Sequence, residues 1–123
     1  MKSLYPFVVL ENSKEEIEFY RDIFNGEIKV LSEKGDLYLQ SELRIGSFII
    51  HVADATVAGS SVKGDYVKIM ANFESEDEIR RVYHALLDGG RVDIEMYATP
   101  FNALIGSVTD RNGVCWVLRY FRT

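Results

Sequence analysis

A single cysteine, Cys115, is all the thiol chemistry that these 123 residues offer. It can form no intramolecular disulfide and has no ligand-spaced partner, so a disulfide framework and a zinc ribbon are both excluded and a reducing compartment is expected. No stretch approaches the roughly 18 uninterrupted apolar residues that a membrane-crossing helix needs. The opening MKSLYPFVVLENSKEE turns acidic after a short apolar run, unlike a secretory leader. A soluble, cytoplasmic chain with no membrane partner is the expectation. Basic residues are few and scattered: 14 Lys and Arg against 19 Asp and Glu leave a formal net charge of −5. Without a basic stripe to track a phosphate backbone, nucleic acid is not an expected partner.

What is present is globular material, 47% hydrophobic and 27% charged, and the length suits one domain, residues 1–123, with a real core. Its clearest feature is a repeat. SKEEIEFYRDIFNGEIKV, residues 13–30, returns as SEDEIRRVYHALLDGGRVDI, residues 75–94. In the first copy Ser13 is placed to cap a helix with an apolar stripe of Ile17, Tyr20 and Phe24, stopped by Gly26. In the second, Ser75 caps, Ile79, Val82 and Leu86 form the stripe, and Gly89 and Gly90 stop it. The helix signals are offset by 62 residues. LYPFVVL precedes the first helix and EIKVL, DLYLQSELRI and SFIIHVA follow it; YVKIMANF precedes the second and RVDIEMYA, ALIGSVT and VCWVLRYF follow it. The fold class is therefore α+β, two paired βαβββ modules at 4–56 and 64–122, joined through the polar GSSVKG at 59–64.

Strand alternation divides the faces. In VCWVLRYF, Val114, Trp116, Leu118 and Tyr120 point one way and Cys115, Val117, Arg119 and Phe121 the other. One face packs the helix; an apolar remainder must be covered by the other module or by another copy of the chain.

The βαβββ pair, with EEIEFYRDIFNGEI early, SELRIGSFIIHVAD in mid-chain and GSVTDRNGVCWVL late, resembles the vicinal-oxygen-chelate superfamily of glyoxalases, bleomycin-resistance proteins and dioxygenases, and within it the PhnB-like branch. The resemblance covers almost the whole chain. It implies mixed sheets curved around a cavity, a homodimer, and, in enzymatic members, a divalent metal held by His, Gln and Glu from the first and last strands of each module. Carried over position by position, the late glutamate falls four residues after Gly113, on Val117. The last strand of the first module offers His51, the first strand of the second falls near Lys68, and the opening strand near Tyr5 or Phe7. Gln40 stands where branch members often carry a histidine. One histidine among these positions leaves the donor set incomplete, so no metal and no cofactor are expected.

The candidate ligand-binding residues are His51, Lys68, Tyr66, Arg119, Val117, Tyr97, Phe101 and Gln40. Tyr66, Lys68 and Met70 are expected to share one strand face, as are Cys115, Val117 and Arg119. Two cations and a histidine among apolar walls would suit a small, anionic ligand. Tyr97 and Phe101 flank ATPFNA, beside the pocket mouth in the resembled fold. The competing structural reading has Lys68 and Arg119 reaching the rim, Glu42 paired with Arg44, Cys115 as a small buried hydrophobe and His84 facing solvent. The expected function is small-molecule binding or sequestration. A metal-dependent lyase or dioxygenase and a non-catalytic dimeric interaction module are the alternatives. The ligand, any reaction, and whether a pocket forms within one chain or between two stay open at this level.

Overall fold

In a computed structural model, which describes residues 1–122, the chain divides into two compact units, Met1–Val62 and a second beginning at Lys63. The first runs β1 (Phe7–Leu10), α1 (Ser13–Phe24), β2 (Glu27–Lys34), β3 (Leu37–Ile45) and β4 (Phe48–Asp54). Its sheet has the order β1-β4-β3-β2, with β1 parallel to β4 and the other neighbours antiparallel. Short hairpins join β2 to β3 and β3 to β4, whereas the parallel neighbour of β1 is reached only after a helical crossover. The second unit repeats the plan with β5 (Ile69–Phe73), α2 (Glu76–Leu86), β6 (Arg91–Ala98), β7 (Ala103–Thr109) and β8 (Cys115–Phe121), in the order β5-β8-β7-β6. The expected pair of βαβββ modules is what the chain forms.

Each helix covers one face of its own sheet. Ile17, Tyr20 and Ile23 of α1 are buried together with Leu10, Leu43 and Val52, and Ile79, Val82, Tyr83 and Leu86 of α2 with Leu104, Val108, Trp116 and Leu118. Each fully buried Leu or Ile contributes about 1.5–3 kcal/mol of transfer free energy. At Gly106 a side chain is missing for a packing reason: a Cβ there would lie 3.1 Å from the Tyr83 ring. Trp116 is buried in this core, and His84 is exposed, as expected.

The ends of α1 differ from expectation. Ser75 does cap α2, accepting a hydrogen bond from Glu78 N at 3.1 Å. Ser13, its counterpart in the sequence repeat, is instead the first residue of α1; its hydroxyl donates to the Tyr38 carbonyl at 2.7 Å, and its own N–H donates to Asp54 Oδ2 at 3.3 Å. The flanking Asn12 makes no side-chain cap. A carboxylate from β4 thus serves the positive end of α1. At the other end Asn25, with φ +53°, makes the left-handed turn assigned to Gly26. Gly26 is small because a Cβ would sit 2.9 Å from the Arg44 carbonyl.

Asp54, 2% exposed, also accepts from Thr56 N at 3.0 Å and Thr56 Oγ1 at 2.7 Å. Burial alone pushes its carboxyl up, but the hydrogen bonds from Thr56 and Ser13 together outweigh burial and hold it below the ordinary carboxylate range. A group with a lowered folded-state value stabilises the fold above its unfolded value, near 3.9, and loses that contribution as pH falls through the folded value. Asp54→Asn is therefore expected to cost about 1–3 kcal/mol at neutral pH, with the gap to the parent narrowing in acid. Urea denaturation at neutral and acid pH measures it; an equal gap at both would show that the charge is not what stabilises.

The second unit contains a further correction. β5 begins at Ile69, so Tyr66 and Lys68 do not share a strand face with Met70. Extending the parallel β5–β8 register backwards from Ile69–Trp116 would pair residue 67 with Val114. β8 itself begins only at Cys115, because Val114 still belongs to the turn closed by Asp110: its N–H donates to Asp110 Oδ1 and its carbonyl accepts from Asp110 N. With no ladder to join, Tyr66 stands fully exposed and Lys68 Nζ turns back to the Asp65 carbonyl at 2.9 Å. No helix among the described residues is long and apolar enough to cross a membrane.

Candidate functional site

The face of each sheet opposite its helix carries the groups with binding chemistry. In the first unit, pairing places Phe7, His51, Glu42 and Lys29 in one row across β1, β4, β3 and β2. The His51 ring stacks on Phe7, with centroids 4.9 Å apart and planes within 13°. Its Nε2 lies 2.5 Å from Gln40 Oε1. An amide oxygen only accepts, so this bond places a proton on Nε2 and leaves Nδ1 for another partner. Glu42 is held by Arg44, with Nη2 to Oε1 at 2.8 Å, as the structural reading of the sequence had it. Phe7, in this row, is well exposed at 59%, so apolar surface adjoins the polar pair.

In the second unit Met70, Val117, Ser107 and Ile94 form one row, and Asn72, Arg119, Ile105 and Tyr97 the next. Arg119 Nε donates to Asn72 Oδ1 at 2.7 Å, and its guanidinium carbon lies 4.6 Å from the centroid of Phe121, which in turn sits 6.3 Å from Phe101. Tyr97, Phe101 and Phe121 are each about half exposed. Cys115 is buried, its sulfur 3.3 Å from the Thr109 hydroxyl.

Of the residues singled out in the sequence, His51 and Gln40 are thus in direct contact, while Arg119, Val117 and Tyr97 occupy adjoining rows of one sheet face, with Phe101 reaching that group through Phe121. Tyr66 and Lys68 precede β5 and lie outside the rows that carry Arg119 and Val117. The sequence reading missed Asn72 as the partner of Arg119 and Phe7 as the stacking partner of His51. Phe121, two residues beyond Arg119 on an alternating strand, could have been found by periodicity; Asn72, 47 residues away, could not.

Register also tests the metal positions. Phe7 pairs with His51 between the first and last strands of one unit, and the equivalent pair in the other is Met70 with Val117. Met70, not Lys68, is therefore the counterpart. Phenyl and isopropyl groups have no lone pair and a thioether is a weak, soft donor, so neither pair supplies the donors of a hard or borderline divalent ion. Among the described residues no three His, Cys, Asp or Glu side chains cluster as metal ligands.

No family model matches the sequence, and no curated protein does. Solved structures do. Protein PA1353 from Pseudomonas aeruginosa matches over 100% of both chains with a TM-score of 0.86 and 23% identity. The PhnB protein from Bacillus cereus matches over 97% of this chain and 99% of its own, with a TM-score of 0.83 and 23% identity. A glyoxalase/bleomycin resistance protein/dioxygenase family enzyme from Burkholderia phytofirmans PsJN matches over 96% and 97%, with a TM-score of 0.78 and 11% identity. At such identities the likeness speaks to architecture: the chain has the glyoxalase/bleomycin-resistance/dioxygenase fold, two βαβββ modules each with a helix on one sheet face.

Proposed function

We propose that this chain binds a small molecule against the open faces of its sheets and does so without the divalent metal of enzymatic proteins of this fold. The observation that carries the reading is the pairing of the first and last strands within each unit, Phe7 with His51 in one and Met70 with Val117 in the other, which offers a single imidazole in the first unit and no N or O donor in the second at the positions that the resembled fold uses for a metal. What remains is an apolar surface with a few oriented polar groups, the ordinary make-up of a small-molecule site. His51, stacked on Phe7 and oriented by Gln40, supplies a directional contact through Nδ1. The likeness to the PhnB protein supports the same branch for this chain, and we read it as a cytoplasmic homodimer.

The test pairs metal analysis with ligand binding. Protein purified without chelator and titrated with zinc, nickel, manganese and iron(II) is expected to hold none stoichiometrically. A neutral aromatic probe, benzamide, is expected to bind and to lose about 5- to 30-fold in affinity in His51→Ala, the equivalent of one hydrogen bond plus a stacking contact. Stoichiometric metal that disappears in His51→Ala would overturn the reading and favour metal-dependent chemistry.

A further inference from the structure

The open face of the second unit holds a cation prepared for a partner that the unit itself does not supply. Arg119 is oriented twice: Asn72 Oδ1 accepts from its Nε at 2.7 Å, and Phe121 lies under its plane at 4.6 Å. Among the described residues its two Nη nitrogens make no hydrogen bond and no ion pair. Other arginines of the chain behave differently: Arg21, Arg44, Arg80, Arg91, Arg111 and Arg122 each have a carboxylate within 4 Å. With 19 acidic residues in the chain, an arginine paired to an amide and stacked on a ring, with no acid beside it, stands out.

We infer that Arg119 is the anion-recognising residue of this chain, and that the ligand it takes is a carboxylate carried on a flat apolar body. The inference rests on the reading of the open faces as ligand surfaces and adds the chemical class. With Nε engaged by Asn72, the guanidinium presents its Nη1–Nη2 end, a planar pair of donors that matches the two oxygens of a carboxylate. Its own row offers Ile105 and Tyr97, and the adjoining rows offer Val117, Met70, Phe121 and Ala103. None of these is charged, so one cation faces one anionic group, which favours a single negative charge over a doubly charged phosphate. Phe121, Phe101 and Tyr97 supply the aromatic surface for the body of the ligand. Asn72 is a positioning residue that keeps the fork from rotating.

The experiment compares benzoate with its near-isosteric neutral amide, benzamide, by titration calorimetry on the full chain. Benzoate is expected to bind at least 10-fold more tightly, with the advantage shrinking as salt is added. In Arg119→Gln the advantage disappears while benzamide binding persists. In Arg119→Lys, which keeps the charge but not the fork, only part of it remains, and in Asn72→Ala it falls several-fold. Arg119 and Asn72 lie at the surface, and an unchanged melting temperature verifies that these variants fold. Equal affinity for benzoate and benzamide, or a benzoate advantage that survives Arg119→Gln, overturns the inference and leaves the small-molecule reading standing. Tighter binding of phenyl phosphate than of benzoate overturns the assignment of a carboxylate. Failure of both benzoate and benzamide to bind at millimolar concentration overturns the inference and that reading together.

Discussion

Asp110→Ala is expected to destabilise the second unit by about 3–5 kcal/mol, a large part of the 5–15 kcal/mol that holds a typical domain folded. The carboxylate, 3% exposed, sits inside the turn between β7 and β8. Oδ1 accepts from Asn112 N at 2.9 Å and Val114 N at 3.1 Å, and Oδ2 accepts from Trp116 Nε1 at 2.8 Å. The same side chain therefore closes the turn and satisfies the one polar atom of the largest core residue. Alanine removes the acceptor from three donors at once, and a buried donor without a partner costs about 1–3 kcal/mol. Asp110→Asn, which can still present an oxygen to the two amides but sets an NH2 against the indole N–H, should fall between. Chemical denaturation followed by Trp116 fluorescence reads both variants directly. A loss below about 1 kcal/mol in Asp110→Ala would mean that the turn closes without its carboxylate.

Gly90→Ala carries the second large expected effect, about 2–4 kcal/mol, for a reason unrelated to backbone freedom. A Cβ on Gly90 would lie 2.5 Å from the Thr109 carbonyl oxygen, 2.9 Å from the Leu86 carbonyl oxygen and 3.0 Å from Asp110 Cα. All three are backbone atoms, so relief requires moving the end of α2 away from the end of β7 rather than turning a side chain. Neighbouring Gly89, at φ +77°, would meet only the flexible Arg111 side chain, and Gly89→Ala should cost about 1 kcal/mol, the ordinary penalty for a left-handed alanine. Melting temperatures of the two variants separate the explanations. Equal losses would show that conformational preference, not space, selects glycine at 90.

Both sites explain why some signals in the sequence were legible and others were misassigned. The paired glycines after α2 read as a helix stop, but the helix ends before them, at Leu86 with Leu87 as its cap, and what excludes a side chain at Gly90 is a carbonyl 19 residues away. Ser13 and Ser75 look alike in the repeat, yet only Ser75 caps its helix. The first helix finds its acceptor in Asp54, 41 residues away, which frees Ser13 to bond the sheet. Alternation alone puts Lys68 on a strand face; β8, the neighbour that its segment would pair with, begins only at Cys115, after the turn built around Asp110.

At the sheet faces opposite the helices the division is the same. Alternation along β8 put Val117, Arg119 and Phe121 on one face, and that grouping is observed. The contacts that orient the polar side chains there, Arg119 with Asn72 and His51 with Gln40, join separate strands. The sequence by itself determined the two βαβββ modules, their helices and the faces of their strands, because periods of two and 3.6 are set by which side of a local element must leave water. Only the tertiary structure decided who caps α1, where β5 starts, which residue is the counterpart of Phe7 and what orients Arg119. Those outcomes depend on hydrogen-bond partners brought together by sheet register, and register pairs residues whose separation along the chain no local pattern encodes.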